Sequence, residues 1–580
     1  MGRGWNVADV WEAVADRFPE APALLRAGRT TTWSAFERRA EGVGAALADA
    51  GLTDQSKVAQ LLYNGPEYLE SFFAAVKQAA VPVNVNYRYT GDELRSLLDD
   101  ADAEAVVFHS SLTATCDAVR RQLPAIRLWL QVDDGGEPCP QWAVPYEQAA
   151  GSAGDRRRDP SRRSGDNLIL LYTGGTTGQP KGVMWPQDTL FRMLEELNGR
   201  PVASSADPQA YAAAIDQPGP RVLPAAPLMH GTAMWFAIPA LNRGGCVVTM
   251  AHHGFDPAAL LDTVVADQVK GLCIVGDAFA RPIVRALEDH PGRWDLSGLR
   301  VVFSSGASFS PSTKAALLAH AGRAVIVDSL GSSESGGLAR THTTAADIPS
   351  VDITAGATTA GETTAGETTA GATTAGKPDS GSGTDSAARP TPPGTGGSFR
   401  VGGNTRVIDE HNQDVEPGSG RRGRLAISGH IPVGYYGDPI KTAETFVTID
   451  GVVHVVAGDW AEVEADGTIR LLGRGSTCIN TGGEKVFPDE VEVAIKRLPA
   501  VRDAVVVGIP DSRFGEAVAA VVEPEPGATV DLATVADEVR RTLAPYKAPR
   551  HLVLVPSIGR AANGKADYRH LQALAAAAAS

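Results

Sequence analysis

Apolar residues recur at helical spacing near the start of the chain, at Val7, Val10, Trp11, Val14 and Phe18, which predicts a helix laid against a core. Further on, short β-branched runs alternate with longer amphipathic segments, as in "VVFSSGAS" after Arg300 and "AVIVDSLGSSES" after Arg323. That rhythm predicts an α/β fold with parallel strands whose C-terminal ends carry loops of small residues, the end at which open α/β sheets bind ligands. The last hundred or so residues have a different grain. "PDEVEVAIKRL" reads as a helix with Val491, Ile495 and Leu498 on one face, "AVVVGIP" as a strand, "ATVADEVRRTL" as a helix and "HLVLV" as a strand, together a small α+β unit. The stretch before it, "LLGRGSTCINTGGEKVFP", has the glycines and small polar residues of a hinge.

One segment follows neither period. From Thr354 to Gly376 the chain repeats a five-residue unit, TAGAT or TAGET, and then runs into a stretch rich in Pro, Gly and Ser. It has almost nothing to bury, so residues 343–397 read as a disordered surface insertion.

Composition narrows the function. With 580 residues, 43% of them hydrophobic, the chain can bury more than one core. A net charge of -15 argues against a nucleic-acid partner, which would require a basic face, and favours a small-molecule substrate. The five cysteines are scattered and include no C-x-x-C pair, so they suggest neither a disulfide framework nor a zinc site. A reducing cytoplasm is the expected setting. No stretch has the length and apolarity to span a bilayer, although a peripheral membrane contact stays open.

The densest chemical signal is "YTGGTTGQPKG", Tyr172 to Gly182, directly after the apolar run Leu168 to Leu171. A strand followed by a Gly/Thr turn and a lysine suits phosphates: glycines let backbone N–H groups approach, hydroxyls donate and the ammonium neutralises. Pro180 before Lys181 and Gly182 after it break the G-x-x-x-x-G-K-[ST] pattern, which removes the P-loop reading. Taken alone, the loop is also readable as a mobile turn, the lesser of the two readings.

The order of "YTGGTTGQPKG", "PLMHG", "DSLGSSESG", "GDWAEVEADG", "LLGRGSTCINTGGEKVFPDEVE" and "NGKADY" resembles the adenylate-forming superfamily of acyl-CoA synthetases, adenylation domains and luciferases. The forms "IPVGYYGDP" and "GRGSTCINTGGEKVFPDEVE" are most similar to the actinobacterial fatty acyl-CoA synthetases, a branch that includes ligases for steroid side-chain acids. The resemblance implies a large N-terminal AMP-binding domain over residues 1–473, a hinge at 474–477 and a small mobile C-terminal domain over 478–580. It also implies ATP, Mg²⁺ and CoA as cosubstrates and cofactor.

By the same resemblance, Thr173, Gly174, Gly175, Thr176, Thr177, Gly178 and Lys181 would hold the β- and γ-phosphates, with Thr176 among the catalytic residues. Glu334, in "GSSESG" with Ser332 and Ser333, would take Mg²⁺. Asp459 would accept from both ribose hydroxyls, and Arg474 would add a ribose or phosphate contact. The adenine would lie against Ser305, Gly306 and Ala307 and the strand end at Ser329, Leu330 and Gly331. Leu330 stands where many relatives carry an aromatic. Lys565 would bridge the carboxylate and the α-phosphate. Gly482 and Gly483 would line the pantetheine tunnel once the small domain rotates, and Ser476 occupies the hinge position where many relatives have Asp or Lys. His230 would gate or wall the acid tunnel, with Met234, Trp235, Gly276, Asp277, Phe279 and Ala280 as further lining; a core histidine is the competing reading of His230.

The function expected is ATP-dependent formation of a CoA thioester from a long-chain fatty or steroid side-chain acid. Two readings compete with it. One keeps the adenylating step but loads a carrier protein; the other is a non-catalytic nucleotide-binding protein on the same fold. No G-x-S-x-G elbow occurs, so serine hydrolysis has no support.

Overall fold

A computed structural model describes residues 4–89, 91–152, 158–173, 180–307, 309–347, 398–399, 404–474, 478–481, 484–511, 515–561 and 564–579. The first helix is Val7–Arg17, capped by Asn6, whose side chain accepts from the Ala8 N–H. Val7, Val10, Trp11 and Val14 are buried as their spacing predicts, and Phe18 ends the helix against the same core.

Two large sheets carry the N-terminal part. In one, Val144–Pro145, Leu128–Val132, Ala103–His109, Lys57–Leu61, Val81–Asn84, Leu168–Thr173 and Lys181–Pro186 lie in that order, all parallel except the last pair. In the other, Gly336–Thr343, Val325–Ser332, Val301–Ser305, Gly271–Ile274, Arg221–Pro224, Cys246–Thr249, Pro22–Arg26 and Arg29–Thr32 are neighbours, antiparallel only at its two edges. The runs read as strands from "VVFSSGAS" and "AVIVDSLGSSES" are adjacent here, and their C-terminal ends open toward one cavity.

A third sheet, antiparallel, was not apparent in the sequence. It joins Arg422–Ile427, Asp459–Val463, Ile469–Arg474 and neighbouring short strands. Beyond it, the helix Pro488–Ile495 packs Val491, Ala494 and Ile495 onto the antiparallel pair Val501–Asp511 and Gly515–Pro524, with Leu498 against the same cluster. The helix Leu532–Thr542 and the strand His551–Leu554, parallel to Gly515–Pro524, complete the small α+β unit.

Two sequence expectations shift at their margins. The insertion was set to begin at Thr343, but Thr343 pairs with Ile326 and Ala345–Asp347 forms a helical turn in which the Asp347 carboxylate accepts from Thr344. The TAG repeat itself lies outside the described residues. The glycine-rich stretch read as a hinge contains the strand end at Arg474 and the paired strands Ile479–Thr481 and Glu484–Val486, while residues 475–477, Ser476 included, lie outside the described residues.

The helices of the N-terminal part are also tied together by buried charge. Lys77 Nζ lies 2.5 Å from Glu12, 3.2 Å from Glu41 and 3.4 Å from Glu37, and Arg163 lies 2.8 Å from Glu12. Burial opposes ionisation of Glu12, but the hydrogen bonds and charges of Arg163 and Lys77 outweigh it and hold the carboxyl below its ordinary range. Among the described residues, no helix is long and apolar enough to cross a membrane.

Candidate active site

The C-terminal strand ends of the N-terminal part and the inner face of the small domain enclose one cavity of about 1700 Å³. At one wall, Thr173 and Lys181 face each other across the antiparallel pair that brackets the Gly/Thr turn. Gly174, Gly175, Thr176, Thr177 and Gly178 lie outside the described residues. The Lys181 ammonium is ion-paired with Asp438 and sits 5.8 Å from the centre of the Tyr435 ring. Asp438 in turn caps the helix Pro439–Thr445, accepting from the Lys441 N–H at 2.8 Å.

Glu334 is at the tip of the hairpin between Val325–Ser332 and Gly336–Thr343. Three contacts fix this tip: Ser332 N–H donates to Ser335 Oγ at 3.0 Å, Trp185 Nε1 donates to the Ser333 carbonyl at 2.9 Å, and Tyr435 Oη donates to Glu334 Oε1 at 3.0 Å. Gly336 leaves the tip with φ +67°, a backbone conformation that favours glycine. Among the described residues no group of three or more His, Cys, Asp or Glu side chains is arranged for a metal. A magnesium ion at Glu334 would therefore take its other oxygens from phosphates and water, the usual pattern for that ion.

Ser305 and Ser329 stand side by side in register, and with Gly306, Ala307, Leu330, Gly331, Ser332 and Ser333 they line the same cavity. Asp459 lines it from the antiparallel sheet, with Arg474 opposite it in the strand pair. Gly482 and Gly483 lie outside the described residues.

His230 precedes the helix Gly231–Asn242 and faces the cavity. Desolvation, reinforced by the positive charges of Lys565 and Arg88, pushes its pKa down to about 4, so the imidazole is neutral at neutral pH. The small domain therefore brings Lys565 within electrostatic reach of His230. Its loop is closed by Ala561 N–H donating to the Lys565 carbonyl and Gly564 N–H donating to the Ala561 carbonyl, both at 2.8 Å. Arg560 braces it from beneath, donating to the Gly564 carbonyl at 3.0 Å while gripping Asp503 through two bonds of 2.6 and 3.1 Å.

The surface that receives the small domain is the helix Gly276–Asp289. Its Arg281 donates to the carbonyls of Arg502 at 2.6 Å and Lys496 at 3.3 Å, and its Arg285 pairs with Glu525. The expected acid-tunnel lining needs correction on this helix. Phe279 packs on Phe255 and borders a separate cavity of about 50 Å³, Ala280 is in the core, and Gly276 donates its N–H to Ser304 Oγ at 3.0 Å. Met234 is likewise core. Trp235 and Asp277 do face the main cavity, although Asp277 also accepts from the N–H and Oγ of Ser310. The apolar wall is instead supplied by Met193, Leu194, Leu197 and Phe303 beside Trp235. Tyr435, Asp438, Arg560 and Asp503 were not singled out from sequence; the first two lie in and just after "IPVGYYG", and Arg560 stands three residues before Asn563.

Strand-end serines and glycines, the Glu334 tip and Lys565 of the small domain line one cavity between two domains, the arrangement of an adenylate-forming enzyme. Residues 11–436 match the AMP-binding enzyme family and residues 490–565 its C-terminal domain; the chain belongs to that family. It is 38% identical over 574 residues to the Medium/long-chain-fatty-acid--CoA/3-oxocholest-4-en-26-oate--CoA ligase of Mycobacterium tuberculosis, covering 98% of this chain and 96% of that one. It is 35% identical to the 3-oxocholest-4-en-26-oate--CoA ligase of Rhodococcus rhodochrous, covering 97% and 95%. Among solved structures, the anthranilate CoA ligase AuaEII with anthranoyl-AMP superposes with a TM-score of 0.78 at 20% identity, covering 100% of this chain and 99% of that one. ATP-bound MatB from Rhodopseudomonas palustris gives 0.75 at 23%, covering 99% and 100%. These two structures speak for the fold.

Proposed function

We propose that the protein is an AMP-forming acyl-CoA synthetase acting on a long-chain fatty or steroid side-chain carboxylic acid. The acid's carboxylate oxygen attacks the α-phosphorus of ATP and pyrophosphate leaves; the CoA sulfur then attacks the acyl carbon, AMP leaves, and the thiol proton is released to solvent. The observation that carries this reading is the approach of Lys565 to His230 at a cavity shared by the nucleotide wall and an apolar wall.

The first step brings two anions together, so its demand is charge neutralisation and alignment. Lys565, a compact cation on a moving domain, bridges the carboxylate and the α-phosphate. Neutral His230 walls the acid without adding a charge. Thr173, Lys181 and the Gly/Thr turn hold the outer phosphates, Asp459 takes the ribose hydroxyls, and the serines of the two adjacent strand ends flank the adenine. Glu334, held by Tyr435, would carry a magnesium ion whose charge screens the phosphates. For the second step the small domain turns, bringing Gly482 and Gly483 to the thiol path. The long-chain or steroid acid class is supported by the relatives from Mycobacterium tuberculosis and Rhodococcus rhodochrous, ligases named for fatty and 3-oxocholest-4-en-26-oate acids, and by the apolar wall. The five free cysteines support a cytoplasmic setting.

Mass spectrometry of products tests the proposal, after incubation with ATP, Mg²⁺ and a panel of fatty and steroid acids, with and without CoA. Acyl-CoA that forms only with CoA present supports it. Acyl-adenylate accumulating regardless of CoA would make the protein a carrier-protein loader, and no product from any acid would leave a nucleotide-binding protein.

A further inference from the structure

Arg340 belongs to the strand Gly336–Thr343, in register with Ser329, which pairs in turn with Ser305. Its side chain lines the main cavity on the apolar side. Nη1 donates to the carbonyl of Leu197, the last residue of the helix Gln187–Leu197, at 2.5 Å, and the guanidinium lies over the Phe303 ring at 5.6 Å. Nε is fully enclosed and has no acceptor. Among the described residues no carboxylate pairs with this group, and burial alone draws its pKa below the ordinary guanidinium value.

An arginine remains charged in such a half-buried place, and it offers five donors of which the described residues engage one. Buried charges and donors are ordinarily paired, because leaving them unpaired costs free energy that a hydrophobic replacement would not. The wall around it is apolar: Met193, Leu194, Leu197, Trp235 and Phe303 offer no side-chain carboxylate. The missing partner is therefore to be sought in what fills the cavity. Arg340 is four residues along the strand from Gly336, about 13 Å at the usual rise per residue, which places it deep relative to the Glu334 tip.

We propose that Arg340 is a specificity residue that donates to an oxygen acceptor at the end of the acid remote from its reacting carboxylate. This rests on the reading that the cavity activates an acid. A ketone on the far ring of a steroid acid and a second carboxylate or ketone at the far end of a chain present the same acceptor chemistry. A site built to hydrogen-bond an oxygen discriminates against the analogue that lacks it far more strongly than an apolar wall discriminates by size.

The test uses the full-length protein and matched acids: a saturated long-chain acid against its ω-keto and ω-carboxy counterparts, and a steroid side-chain acid with and without a ring ketone. Wild type is expected to favour the acceptor-bearing member of at least one pair in kcat/KM by about tenfold or more. Arg340→Met is expected to erase that preference through KM, and Arg340→Lys, which keeps the charge but not the fork, to restore part of it. A purely structural brace at Leu197 would lower activity on both members of a pair equally. If Arg340→Met does not fold, the wild-type ratios and those of Arg340→Lys decide. A preference confined to the ketone arm assigns a neutral acceptor, and one confined to the ω-carboxy arm an anionic one. Thioester formation indifferent to the far end of every acid, or the same preference in Arg340→Met, overturns the proposal and leaves acid activation standing. No product from any acid overturns both.

Discussion

A Cβ placed on Gly564 would lie 2.7 Å from Val275 Cγ1, so the loop that presents Lys565 can seat on the large domain only with glycine there. Gly564 also has φ +73°, a conformation L side chains rarely adopt. Gly564→Val is therefore expected to cut pyrophosphate release by about 100-fold, the effect of a displacement near 1 Å, while thioester formation from supplied acyl-adenylate changes little. Lys565→Ala should show the same split more severely. Equal loss of both half-reactions would argue against a role confined to the first.

Arg560 should behave as a positioning residue. It touches the Lys565 loop through the Gly564 carbonyl and is itself fixed by two bonds to Asp503. Arg560→Lys cannot reproduce that fork. Its kcat for adenylation is expected to fall about tenfold or more, with KM for ATP nearly unchanged. A lysine variant indistinguishable from wild type would show that the fork is not needed.

The low pKa of His230, about 4, has a directional consequence. A histidine whose folded pKa is depressed contributes stability in full above the ordinary imidazole value, and that contribution is lost as pH falls from there toward 4. The His230 resonance should show no titration near pH 6.5 in NMR, the value for a free imidazole. Lys565→Ala should move it upward, because a neighbouring positive charge is removed. Titration at the ordinary value in the wild type would mean that the imidazole is not desolvated in solution, and no shift in Lys565→Ala that Lys565 does not approach it.

Leu330 lines the proposed adenine wall without an aromatic face. Leu330→Tyr is expected to lower KM for ATP about two- to tenfold, from roughly 0.5–1.5 kcal/mol of ring stacking. An unchanged or raised KM would place the adenine elsewhere.

Lys77 is the shared cation of three buried glutamates. Lys77→Met should destabilise the protein by about 3 kcal/mol, the lower end for breaking a buried pair, read by urea unfolding, since it strips the cation from Glu41 while Glu12 keeps Arg163 and Glu37 keeps Arg158. Glu12, whose folded pKa is depressed, contributes stability above its ordinary carboxylate value and loses it as pH falls through the folded value. Acid should therefore narrow the gap between Lys77→Met and wild type.

Much of this was legible because local pattern and tertiary demand agreed. Val7 to Val14 form one buried helical face, and the strand-end serines fall where β-branched runs stop. The antiparallel sheet escaped because its strands are short and partly exposed, as at Val452 and Val453, so pairing rather than periodicity defines them. On the helix Gly276–Asp289 the side turned to the cavity differs from the expected one: Ala278, Arg281, Pro282 and Arg285 line it, whereas Phe279, Ile283 and Leu287 are drawn to the core. Arg340 looks ordinary in a strand, since its isolation depends on which residues lie across the cavity.

Under the role proposed for Lys181, the grip of Asp438 would make nucleotide entry an exchange of anions. An incoming phosphate would displace a carboxylate from the ammonium, and when pyrophosphate departs the carboxylate would be at hand to close over the bared charge. Asp438 would then work as a resident competitor that weakens the hold on substrate and product alike, trading affinity for turnover and tempering inhibition by the protein's own leaving group.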